Sequence, residues 1–94
     1  MYEAVIKRIE RQVEDATGMT MEQIMQPTHA WKEATAKRVL YFMLDEAGMR
    51  YPDIAKYYGV KRANVWASIR KAKYTYMFDK ELTTLIQRAK QYEI

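Results

Sequence analysis

The stretch Ile54 to Arg70, IAKYYGVKRANVWASIR, constrains the fold more than any other part of this chain. Gly59 interrupts two helix-forming runs at a point where the backbone must turn with φ > 0, a conformation glycine adopts without steric penalty. Ala55, four residues earlier, is small where two crossing helices touch. Val60, Val65 and Ile69 follow the glycine at spacings that let their side chains fill the angle between the helices. Lys61, Arg62, Asn64 and Arg70 fall outside that apolar set. The pattern predicts two helices joined by a tight corner, with hydrogen-bond donors on the outer face of the second. That is the arrangement of a helix-turn-helix reader, here spanning about 52–76.

The rest of the chain is consistent with one small domain built around this unit. Its 94 residues suffice for a single modest core, and 49% are apolar. With two Pro, three Gly and no alternating run of strand length, the expectation is an all-α domain of five to six helices. Absence of Cys excludes disulfides, thiolate metal sites and a Cys nucleophile, and it fits a reducing cytoplasm. No apolar run approaches the roughly 18 residues of a membrane span, and no signal peptide opens the chain. The net charge is +4, but Arg50 to Lys73 holds seven basic residues (50, 56, 61, 62, 70, 71 and 73) against Asp53 alone. That segment therefore carries +6 and the remainder −2. Positive charge concentrated on the reader is the electrostatic footprint of a nucleic-acid face.

Taken in order, the sequence predicts a helix over Tyr2 to Thr17, buried through Tyr2, Val5, Ile6, Ile9, Val13 and Ala16, and ended by Gly18. Lys7, Arg8, Glu10, Arg11, Glu14 and Asp15 are read as its solvated side. Thr20 and Gln23 make a capping-box pattern for a short helix through Ile24 and Met25, stopped by Pro27. The loop from Pro27 to Trp31 carries His29, which has no Cys or second His for a metal and is better suited to a phosphate or solvent contact. A strong helix over Lys32 to Ala47 presents Val39, Leu40, Met43, Leu44 and Ala47 inward and ends at Gly48. Tyr51-Pro52-Asp53 opens the first reader helix, with Pro preset for a first turn and Asp suited to its positive end. The second reader helix begins near Lys61 or Arg62 and runs to Tyr76 with Val65, Ile69, Ala72 and Tyr76 inward. Asp79 is the expected N-cap of a last helix burying Leu82, Leu85, Ile86 and Ala89.

These residues resemble the C-terminal DNA-binding domain of the bacterial replication initiator DnaA, whose fold is related to that of the Trp repressor. The family's Leu-Pro-Glu-Ile-Gly run is matched by Tyr51-Pro52-Asp53-Ile54-Ala55. Its Gly-Gly-Arg-Asp-His-Thr-Thr-Val signature is matched loosely by Gly59-Val60-Lys61-Arg62-Ala63-Asn64-Val65, one residue shorter, and its Arg-Lys pair by Arg70-Lys71. The closing Leu-Ile of its last helix appears as Leu85-Ile86, so the resemblance spans nearly the whole chain. It implies double-stranded DNA as partner. Without the Asp-His-Thr-Thr set, the expected target is not the initiator's own DNA box. The initiator's ATPase module has no counterpart in the sequence, so neither a nucleotide nor ATP-driven origin melting is implied.

A helix laid in the major groove presents its N-terminal residues to base edges while nearby cations hold phosphates. Lys61 or Arg62 can donate to guanine O6 and N7, Asn64 can pair with adenine, and Ala63 or Ala67 can touch a thymine methyl. The phosphate candidates are Lys56, Arg70, Lys71 and Lys73, with Lys32, Lys37 and Arg38 at the start of the central helix; the resemblance implies an adjacent minor groove for that last group. Any one of these Lys or Arg residues is also an ordinary surface solubiliser. For Trp66 a wedge against the third helix is expected ahead of a base contact, because the family has Leu there. Tyr57-Tyr58 and Tyr74-Tyr76 are expected in the core or at its edge ahead of serving as stacking platforms for single strands. The competing class is a protein-interaction adaptor that keeps the fold without DNA. Catalysis is not expected, since no nucleophile–base set, glycine-rich phosphate loop or metal constellation occurs, and no cofactor is implied. Monomer and weak homodimer are both compatible with the pattern.

Overall fold

Apolar spacing of three and four, broken by helix-ending glycines, produces six helices and no strand among the described residues. In this computed structural model these are residues 2–27, 30–75 and 80–91. They run α1 (Glu3–Thr17), α2 (Met21–Ile24), α3 (Trp31–Glu46), α4 (Tyr51–Tyr58), α5 (Arg62–Thr75) and α6 (Lys80–Gln91). The all-α expectation therefore holds. Tyr76 and Asp79, expected as helix end and N-cap, lie outside the described residues, as does His29. Among the described residues no helix is long and apolar enough to cross a membrane.

The helix ends are local chemistry. Thr20 and Gln23 form the full capping box: the Gln23 amide donates to Thr20 Oγ1 at 3.2 Å and the Thr20 amide to Gln23 Oε1 at 2.9 Å. α4 ends at Gly59, φ 66°, where the Val60 amide donates to the Ala55 carbonyl at 3.0 Å. α3 ends in the same manner, with the Met49 amide on the Leu44 carbonyl at 3.1 Å. In both, the apolar residue just past the glycine turns back onto the core, Met49 fully and Val60 in part. Each closure thus satisfies helix-end carbonyls and aims the next helix.

α3 is the hub, packing against each of the other five helices. This corrects the expected single stripe. Tyr41 and Phe42 are buried together with Val39, Leu40, Met43 and Leu44, because neighbours cover the second half of α3 on several sides. Ala47, expected inward, is exposed, since it is already the C-cap where the chain swings away. α1 buries Ile6, Ile9, Val13 and Ala16 as expected, α6 buries Ile86 and Ala89, and α5 buries Val65, Ile69 and Ala72. Leu82 lies outside the described side chains.

Tyr58 ties the end of α4 to α1. Its hydroxyl donates to Glu10 Oε2 of α1 at 2.9 Å, and its ring meets Tyr57 edge-on at 4.9 Å and Tyr41 at 6.1 Å. Burial first, and then the Glu10 carboxylate, push the Tyr58 hydroxyl well above the ordinary tyrosine range; burial also raises Tyr41. The folded state therefore keeps a proton that the unfolded chain releases near pH 10. Stability from this group is complete below about pH 10 and declines as pH rises beyond it. Tyr58→Phe is expected to cost about 1 kcal/mol at neutral pH, a fall of roughly 4–8 °C in Tm, and to flatten the alkaline decline in part. Thermal melts of both proteins from pH 7 to 11 check this.

Candidate nucleic-acid interface

α4, the turn Gly59-Val60-Lys61 and α5 form the two-helix unit foreseen from Ile54 to Arg70. Ala55 is 2% exposed, where its small side chain lets α4 approach its neighbours. With Val65, Ile69 and Ala72 turned inward, helical periodicity sends Ala63, Ala67 and Tyr74 outward. All three are exposed, as are Lys61, Arg62, Asn64, Arg70 and Lys71. The middle of the outward face is thus made of two alanines, which permit close approach of the helix backbone to a partner. On one edge Arg62, Trp66, Arg70 and Lys73 follow at intervals of four and three; Asn64 and Lys71 lie along the other.

The start of α5 is electrostatically unusual in this molecule. α1 to α4 each place an acid in the first turn, namely Glu3, Glu22, Glu33 and Asp53. α5 has none, and two cations stand there instead. The Lys61 carbonyl closes the first turn, accepting from the Asn64 amide at 3.1 Å and the Val65 amide at 3.3 Å. Positive side chains and the positive end of the helix dipole thus coincide, which disfavours the isolated helix and suits an anion.

The other sequence candidates are dispersed. Lys56 is exposed on α4 beside Tyr2, Glu3 and Tyr57. Lys73 Nζ pairs with Asp45 Oδ2 of α3 at 2.9 Å, fastening the far part of α5 to the hub. Lys37 Nζ donates to the Gln26 carbonyl at 2.7 Å and so straps the loop after α2 to α3. Lys32 borders a hollow formed by α1, α3 and α6, among Thr17, Leu85 and Arg88, with no residue of α4 or α5 in its lining. Arg38 is half-buried on α3. Lys61, Arg62, Arg70 and Lys71 are candidates that stand exposed along α5 and its leading turn.

Three aromatic expectations are corrected, the first being Tyr57 of α4, which is 44% exposed instead of in the core or at its edge. Trp66 is 47% exposed instead of wedged, and the Arg70 guanidinium sits 5.1 Å from its ring centroid. Tyr74 is 79% exposed instead of at the core edge. Trp66 and Tyr74 both lie off the inward stripe that Val65, Ile69 and Ala72 form on α5. Together with Tyr51, Ile69, Arg70, Lys73 and Asp45 they line a cleft of about 480 Å³ between α5 and the junction of α3 with α4. The i, i+4 placement of Trp66 and Arg70 was visible in the sequence; the contribution of Asp45 and Tyr51 was not. Among the described residues no cluster of His, Asp or Glu is arranged to hold a metal ion. Comparison with protein-family models, curated proteins and solved structures gives no match to this chain.

Proposed function

We propose that this protein binds double-stranded DNA, placing α5 in the major groove in a regulatory or replication-accessory role. The observation that carries the reading is the start of α5, where Lys61 and Arg62 stand at a helix N-terminus that has no acid of its own. Lys61, Arg62 and Asn64 offer donors to base edges, and Ala63 and Ala67 meet thymine methyl groups. Arg70 and Lys71 hold phosphates, assisted by Lys56 and Lys73 from the flanks. The resemblance of the sequence to the DnaA DNA-binding domain supports the same mode, and the rewritten corner supports a target of its own.

A selection of bound duplexes from a random pool tests the proposal. A sharp motif is expected, with binding that weakens steeply as salt rises. If no duplex is retained at about 50 mM salt, where phosphate contacts count most, the DNA reading fails. Lys71→Ala is expected to weaken all sequences alike and to reduce the slope of log affinity against log salt by about one. The adaptor reading draws on the exposed Trp31, Trp66 and Tyr74, residue types that anchor protein interfaces. Its signature is a partner captured with little dependence on salt.

A further inference from the structure

The cleft beside α5 is not needed to place a helix in a groove, yet its lining is specific. Trp66, Tyr51 and Tyr74 supply flat aromatic surface and Ile69 an apolar patch, while the ionic groups, Arg70 and Lys73 against Asp45, sum to +1. Arg70 stacked on Trp66 holds the indole in position, so a ring packing against it orders little that was free before. The opening lies on the same edge of α5 as Arg62, one and two turns further along, so a nucleic-acid strand followed from Arg62 reaches Trp66 and Arg70 next. Lys73 and Asp45, paired at 2.9 Å, place a donor and an acceptor together at the wall, a set that meets the edge of a base.

We propose that this cleft receives one unpaired nucleobase from a DNA strand lying along α5, stacked on Trp66 with its phosphate near Arg70. The inference rests on the DNA-binding reading above and deepens it by naming the preferred substrate. In an intact duplex the faces of the bases are covered by their neighbours, so an aromatic cleft finds nothing to stack on. A bulged, forked or otherwise unpaired base presents its face and pays least for unstacking. Base–aromatic stacking of this kind tolerates any base, so the cleft selects a DNA structure while the start of α5 selects sequence.

The test uses the full chain carrying Trp31→Phe, so that Trp66 is the one tryptophan left of two. Three probes are titrated: the selected duplex, the same duplex with one extra unpaired adenine, and the same bulge with an abasic residue. The adenine bulge is expected to bind about tenfold tighter than the abasic one, with quenching of Trp66 fluorescence that the abasic probe does not produce. Trp66→Phe should keep most of that preference. Trp66→Ala should abolish it and leave affinity for the intact duplex within about twofold, since stacking is removed and the phosphate contacts remain.

Equal affinity for the two bulges, with the intact duplex still bound, overturns this inference and leaves duplex binding standing. An equal loss on all three probes for Trp66→Ala also overturns it, by placing Trp66 in the duplex contact. Quenching of Trp66 by an acidic tyrosine-containing peptide, without discrimination between bulges, assigns the cleft to a protein partner and overturns it too. If no probe binds, the DNA reading itself falls.

Discussion

Replacing Lys61 and Arg62 together by alanine is expected to lower affinity for the selected duplex by about two orders of magnitude, as two guanine contacts at typical strength would require. Affinity for unrelated duplexes should fall much less, because the phosphate contacts proposed for Arg70 and Lys71 are left in place. The ratio of specific to non-specific binding is therefore the quantity to measure, at one fixed salt concentration. Stability is expected to move the other way. Both cations oppose the dipole at the start of α5, and removing each should stabilise the fold by about 0.3–1 kcal/mol at low salt. A variant that melts slightly higher and no longer discriminates sequences separates reading from folding. If discrimination survives both substitutions undiminished, the reading face has been assigned to the wrong residues.

Leu44→Ala probes the hub. Leu44 is 0% exposed near the end of α3, and its carbonyl also accepts the Met49 amide that directs the chain into α4. Truncating a fully buried leucine removes its transfer free energy and leaves a cavity, together costing about 2–5 kcal/mol. A domain of this size has about 5–15 kcal/mol in total, so the variant should lose a large share of its stability. Urea titration reads the loss as a lower midpoint with an unchanged slope. A cost below about 1 kcal/mol would mean that the core relaxes around α3, contrary to its place as the hub. The backbone closure at Gly48 is retained in this variant, so the loss reports packing and not the turn.

Much of this fold was legible because its determinants are short-range. The capping box of Thr20 and Gln23, the left-handed Gly18 and Gly59, and the inward Ile6, Ile9, Val13 and Ala16 of α1, Val65, Ile69 and Ala72 of α5, and Ile86 and Ala89 of α6 each depend on residues within a turn or two of one another. So did the exposed cations and alanines of α5, because a helix with three inward residues assigned has its outward residues assigned as well. The absence of an acid in the first turn of α5 was also in plain view along the chain.

Other features needed the packed molecule. That Tyr41 and Phe42 are buried follows from the number of helices that surround α3, which periodicity within α3 does not encode. Lys37 and Lys73 look like any surface lysine until Gln26 and Asp45 are brought beside them. Trp66 resembled a core wedge because the family that the sequence resembles has Leu at that place, and only the arrangement of α3 and α4 next to α5 left it half exposed with Arg70 across its ring. By itself the sequence determined six helical segments, where most of them stop, and a cationic α5 of alternating inward and outward character. The tertiary structure alone decided which cations share a face, and it assembled the aromatic cleft from Asp45, Tyr51 and α5. Contacts between residues far apart in the chain exist only once a particular packing of helices has been chosen, and local propensity carries no information about that choice.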